Sequence, residues 1–139
     1  MAIPVTVRSI ARPQIVSLEK GSSARAAAEL MLANNVGSVV VSDSSGFVGI
    51  VTERDLIRSV VASGKDPSSV MSEQIMSHPL ITIDSGKGLG EATSIMVERG
   101  IRRLLVTENG KIIGIFTQRD LQQRVMDVFR SIAEAENLT

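Results

Sequence analysis

The chain has 139 residues, 43% apolar and 22% charged, with 15 basic against 15 acidic side chains. That is enough for one domain with a real core, and the neutral balance gives no global pull toward nucleic acid or anionic membrane. Three Phe without Trp or Tyr remove the stacking platforms of single-strand binders, and zero Cys with a lone His78 excludes disulfides, thiolate metal sites and His-rich metal sites.

No apolar run approaches the roughly 18–20 residues of a membrane span. Met1-Ala2-Ile3-Pro4 lacks a charged start followed by a long apolar run, so no signal peptide is expected, and the expected location is cytoplasmic.

In chain order, Ile15-Val16-Ser17-Leu18 is a short β-branched run and a first strand. Ser22 or Ser23 can cap the helix that follows, with Ala27, Leu30, Met31 and Asn34 at helical spacing and Asn34-Asn35 as its stop. Ser38 to Ser42 is a continuous apolar run flanked by serine, hence a buried strand. Asp43-Ser44-Ser45-Gly46 is turn chemistry, and Phe47 to Val51 returns as the second arm of a hairpin. Thr52 then caps a helix from Glu53 to about Ser63.

Residues 62–69 are polar and broken by Gly64 and Pro67, which marks a linker. Val70-Met71 and Ile75-Met76 suggest a short helical lead-in. The same order then returns. Leu80–Ile83 reads as strand, Leu89–Arg99 as helix, Ile101–Val106 as strand, Glu108-Asn109-Gly110 as turn, Ile112–Phe116 as strand and Gln118 onward as the last helix. The fold class is α/β, in the order strand, helix, strand, strand, helix, written twice. The division expected is 1–63 for the first repeat, 64–74 for the linker and 75–139 for the second repeat.

Sliding the sequence by 65 aligns residues 15–60 with the second half without a gap, and eleven positions are identical: 21, 27, 31, 41, 49, 50, 52, 54, 55, 56 and 60. Two copies are too few for a solenoid, so a pair of like units is expected. The last helix carries Leu121, Val125, Val128, Phe129, Ile132 and Ala133 on one face, which needs covering either by a second subunit or by the core.

The most similar stretch is Gly49-Ile50-Val51-Thr52-Glu53-Arg54-Asp55-Leu56 against Gly114-Ile115-Phe116-Thr117-Gln118-Arg119-Asp120-Leu121. Thr with Asp three residues on resembles a capping box, and an acid in the first turn suits the helix dipole. Capping does not explain Arg54 and Arg119, because a cation in the first turn opposes that dipole. A hydroxyl, helix N-terminal amides, an Arg and a carboxylate at a strand end also form a ligand site. The first three suit phosphate and the carboxylate suits a sugar diol. Both readings stay open at this point. Gly86-Lys87-Gly88-Leu89-Gly90 lacks the ending of a P-loop and reads as a flexible helix entry, and His78 before Pro79 as a turn residue.

The element order, the paired Gly-apolar-apolar-Thr-x-x-Asp strings and the segments Asn34-Asn35-Val36-Gly37-Ser38-Val39 and Arg99-Gly100-Ile101-Arg102-Arg103-Leu104 resemble CBS domains, named after cystathionine β-synthase. The resemblance covers about Ile10 to Val125. It implies two β-α-β-β-α repeats packed sheet to sheet about a pseudo-twofold axis, with two clefts that commonly take adenine nucleotides (AMP, ADP, ATP) or S-adenosylmethionine. It implies ribose contacts from Asp55 and Asp120, ribose or phosphate contacts from Thr52 and Thr117, and an adenine resting on Ser17-Leu18 and Thr82-Ile83. Phosphate would fall to Arg102, Arg103 and Arg119 in the second repeat and to Arg54 alone in the first.

The Asp120 cleft is therefore expected to bind phosphate more tightly, and the Asp55 cleft to take a less charged ligand, bind weakly or stay empty. Arg102 and Arg103 could instead form an exposed or carboxylate-paired turn. The reading is a stand-alone regulatory pair, not an enzyme, that needs no cofactor and senses an adenine nucleotide. Its output would reach a homodimer partner or a separate effector protein in trans, with no nucleic acid and no membrane. The rival is a structural or oligomerisation module with unoccupied clefts.

Overall fold

The computed structural model describes residues 5–137; residues 1–4, read above for a signal peptide, lie outside the described residues. Two three-stranded sheets, each with its own helices and core, make the chain mixed α/β. One unit spans Ile15–Leu80. The other joins residues 5–14 to 81–137. These units do not follow the division at 1–63 and 75–139.

Hydrophobic side chains explain the difference. In the second unit helix α1 (Val7–Ile10) buries Val7 completely, and Ile10 and Ala11 pack on Ile83, Met96, Leu104 and Phe116. In the first unit Val70 is buried with Ala24 and Val60, and Ile75 and Met76 cover the sheet core. The stretch read as a linker is thus part of the first unit: Ala24 N–H donates to the Val70 carbonyl at 2.7 Å and Arg25 N–H to the Pro67 carbonyl at 3.1 Å. Helix α1 was not anticipated, because four residues are too short to show a period.

The first unit runs β1 (Ser17–Glu19), α2 (Ala24–Asn34), β2 (Ser38–Asp43), β3 (Gly46–Thr52) and α3 (Glu53–Leu56). After α3 come a π-helical turn, Ile57–Val61, and α4 (Ser72–Ile75). β1 pairs parallel to β2 through the α2 crossover, and β2 antiparallel to β3. The Ser23 hydroxyl accepts from Ala26 N–H at 3.0 Å and starts α2, and Asn35 at φ 52° stops it. At the β2–β3 turn, the Ser45 hydroxyl and N–H both donate to Asp43 Oδ1 and hold that carboxyl below the usual aspartate range. The single long helix expected after Thr52 is instead α-helical for four residues and then π-helical. The wider turn coincides with burial of Val60, while Ile57 and Val61 stay exposed.

The second unit repeats the plan with β4 (Thr82–Asp84), α5 (Leu89–Arg99), β5 (Arg103–Glu108), β6 (Lys111–Thr117) and α6 (Gln118–Asn137). Even the register shift recurs, between Val41 and Ser42 in one sheet and Val106 and Thr107 in the other. β5 starts two residues later than the apolar run suggests, because Ile101 N–H is held by the Met96 carbonyl at the end of α5. Gly88 is the N-cap of α5, so the glycine-rich run is a helix entry. β2 and β5 are buried on both faces, as their continuous apolar runs imply.

Candidate ligand-binding site

Each sheet ends in the same junction. Thr52 is the last residue of β3 and the N-cap of α3. Its hydroxyl accepts from Asp55 N–H at 3.2 Å and donates to Asp55 Oδ2 at 3.0 Å, and its own N–H donates to Oδ2 at 2.8 Å. In the second unit Thr117 N–H and hydroxyl donate to Asp120 Oδ2 at 3.0 and 2.8 Å, and Asp120 N–H donates to Thr117 Oγ1 at 3.1 Å. Both Thr-x-x-Asp strings are therefore complete capping boxes. The helices are further tied to the preceding turn: Glu53 N–H donates to the Gly37 carbonyl and Gln118 N–H to the Arg102 carbonyl, at 3.1 and 2.9 Å.

A strap of main chain lies over each hairpin strand. Arg12 and Ile115 exchange two N–H···O bonds of 2.9 Å, and Ser77 and Ile50 exchange bonds of 2.9 and 3.0 Å. The strand glycines make room for the straps. A Cβ on Gly114 would stand 2.5 Å from the Arg12 carbonyl oxygen, and one on Gly49 would collide with the Met76 side chain. Gly114 is thus explained by close approach of backbone, and Gly49 chiefly by the Met76 side chain laid against it.

The junctions differ at the second carboxylate oxygen. Arg12 Nε donates to Asp120 Oδ1 at 2.6 Å, with the Asp120 side chain 6% exposed and the Arg12 side chain 48% exposed. Ser77 holds the matching place in the other strap. Among the described residues no hydrogen bond or ion pair joins Asp55 Oδ1, and Asp55 is only partly buried. A family model for the CBS domain matches residues 7–62 and again 72–127.

The chain belongs to the CBS-domain family.

Its sequence is 41% identical over 121 residues to an uncharacterized protein of Methanopyrus kandleri, across 86% of this chain and 62% of that one. The chain spans 62% and 42% of the length of the first two curated relatives. A solved structure of an uncharacterized conserved protein from Pyrococcus horikoshii superposes with a TM-score of 0.82 at 33% identity, over 90% of this chain and 95% of that one. A protein with CBS domains from Burkholderia ambifaria superposes at 0.83 with 29% identity, over 88% and 95%.

Within the two CBS repeats the remaining nominated residues fall into two groups. Leu18 and Ile83 are core side chains of β1 and β4, packed in their own units, while Ser17 and Thr82 beside them are exposed. Any adenine resting there meets main chain and these flanking residues, not the Leu18 and Ile83 side chains. Arg54, Arg102 and Arg119 are exposed, and among the described residues no ion pair is formed by them. Arg103 is partly buried at the start of β5 and is engaged within the structure.

Arg12 was missed by sequence reasoning. It lies upstream of the aligned window 15–60, and only the same offset, carried back to Ser77, would have drawn attention to it. A pocket of about 240 Å³ in the first unit, lined by Ser59, Ser63, Lys65, Val70, Gln74 and Ile75, was likewise not anticipated. Among the described residues no cluster of His, Cys, Asp or Glu could hold a metal ion, and no helix is long and apolar enough to cross a membrane.

Proposed function

We propose that this CBS pair is a regulatory module that takes an adenine nucleotide at its repeated strand-to-helix junctions and passes the change to a partner in trans. One observation carries the reading: the carboxylate of the repeated string stands at a strand end next in sequence to an exposed arginine, Arg54 or Arg119, that forms no ion pair among the described residues. A helix cap has no use for that cation, whereas a phosphate beside a ribose diol uses both groups. Asp55 and Asp120 serve as diol acceptors, Thr52 and Thr117 hold them in place, and Ser17 and Thr82 flank the base. Arg54, Arg102, Arg103 and Arg119 supply the positive charge. The exposed apolar face of α6, with Val125, Met126, Val128, Phe129 and Ile132, supports a second copy of the chain as the first partner.

A structural or oligomerisation module is the second reading, and a specific observation favours it. The capping boxes give each Thr hydroxyl and one oxygen of each Asp a local role, so the repeat can persist for folding alone.

Thermal shift with AMP, ADP, ATP, S-adenosylmethionine and NAD separates the two. A ligand at a hundred times its dissociation constant adds about 2.7 kcal/mol. A shift with AMP or ATP that is reduced in Asp55→Asn or Asp120→Asn supports the sensor. No shift with any of the five supports the structural module.

A further inference from the structure

The ion pair between Arg12 and Asp120 joins the second copy of the repeated string to a residue that lies in neither copy. The main chain of the two straps is equivalent, but one carries arginine over the motif carboxylate and the other serine. Both motif carboxylates give Oδ2 to their capping box. Only Asp120 also gives Oδ1 to a cation, at 2.6 Å, and only Asp120 is buried. The two sites, nearly identical in sequence, present different chemistry to a ligand.

We propose that Arg12 selects the ligand of the Asp120 junction, admitting a diol only when an anionic group comes with it. This rests on the nucleotide reading of the motif. A neutral diol that approaches Asp120 must displace a charge-assisted hydrogen bond and leave the guanidinium without an anion. A nucleotide phosphate gives the planar fork a bidentate partner, so one anion is exchanged for another and the carboxylate is released to the ribose. The strap is built for such an exchange. Its main chain is held by the two bonds to Ile115, while the Arg12 side chain is half in water, where an incoming anion can reach it. At Asp55 no exchange is required, because Ser77 carries no charge. That junction distinguishes nucleoside from nucleotide less sharply, through Arg54 alone.

Isothermal titration of the full chain with AMP and adenosine tests this. Asp55→Asn leaves the Asp120 junction as the motif site under study, and Arg12→Ala is then added. The expected result is that AMP is preferred over adenosine in Asp55→Asn, and that Arg12→Ala cuts this preference tenfold or more, with adenosine binding tighter. Arg12→Lys, which keeps the charge without the fork, falls between. Arg12→Gln replaces the alanine variant should circular dichroism show the latter unfolded.

A preference left unchanged by removing Arg12 overturns the proposal and leaves the nucleotide reading standing. So does binding in the parent chain that vanishes in Asp55→Asn. No heat with either ligand in any variant, the parent included, overturns both.

Discussion

The strap over β6 can be broken by one methyl group. In Gly114→Ala the new Cβ stands 2.5 Å from the Arg12 carbonyl oxygen, 3.3 Å from its carbon and 3.6 Å from the Pro13 Cα. All three are backbone, so no rotamer change can relieve the clash. The strap must lift, and its two 2.9 Å bonds to Ile115 lengthen or break. Overpacking costs about 1–3 kcal/mol, and each net hydrogen bond about 0.5–1.5 kcal/mol. Replacing glycine in a strand returns roughly 0.5–1 kcal/mol. The expected net loss is about 2–3 kcal/mol, which for a chain of this size lowers the melting temperature by roughly 6–12 °C.

Gly49→Ala is the internal control, because its Cβ meets chiefly the flexible Met76 side chain, with the Ser77 carbonyl oxygen at 3.1 Å. Methionine can move aside, so this variant should stay within about 1 kcal/mol of the parent. Calorimetric melting of both variants checks the pair. Equal melting temperatures would refute the reasoning, since they would mean that the Arg12 main chain is not laid against Ile115.

The capping boxes should differ in the same direction. Thr117→Ala strips one hydroxyl, which donates to Asp120 Oδ2 and accepts from Asp120 N–H, from a buried carboxylate junction and is expected to cost about 2–3 kcal/mol, against about 1 kcal/mol for Thr52→Ala, read from urea midpoints. The end of α5 offers a backbone test. Gly100 sits at φ 62°, so Gly100→Ala should cost roughly 1–2 kcal/mol. Gly100→Asn should cost less, because Asn35 already holds the matching place at φ 52°.

Much of the fold was legible because its signals are local. The offset alignment, the β-branched runs and the turn chemistry placed all six strands and the helices α2, α5 and α6. Strand ends shifted by a residue or two where another group claimed the backbone, as the Met96 carbonyl claims Ile101 N–H. The π-turn after α3 was not legible, because it accompanies burial of Val60 under Val70, a contact across the polar stretch between them. At the site, Thr52, Asp55, Thr117 and Asp120 were found as pairs, since a capping box is a three-residue spacing. Their inequality was placed on Arg102 and Arg103; Arg12 adds a second difference, because charge in sequence does not say which carboxylate a side chain reaches.

The sequence by itself determined the repeat, the element order and the residues of each junction, all written within a few positions of one another. Tertiary structure decided which segment closes which sheet. Residues 5–14 pack with the second repeat and residues 64–80 stay with the first, because Val7 and Val70 find their apolar partners there. That choice brings Arg12 onto Asp120, 108 positions away, while the matching place in the strap of the first unit is held by Ser77. Two strings that differ at only two of eight positions thereby became two different junctions, one with its carboxylate paired to arginine and buried.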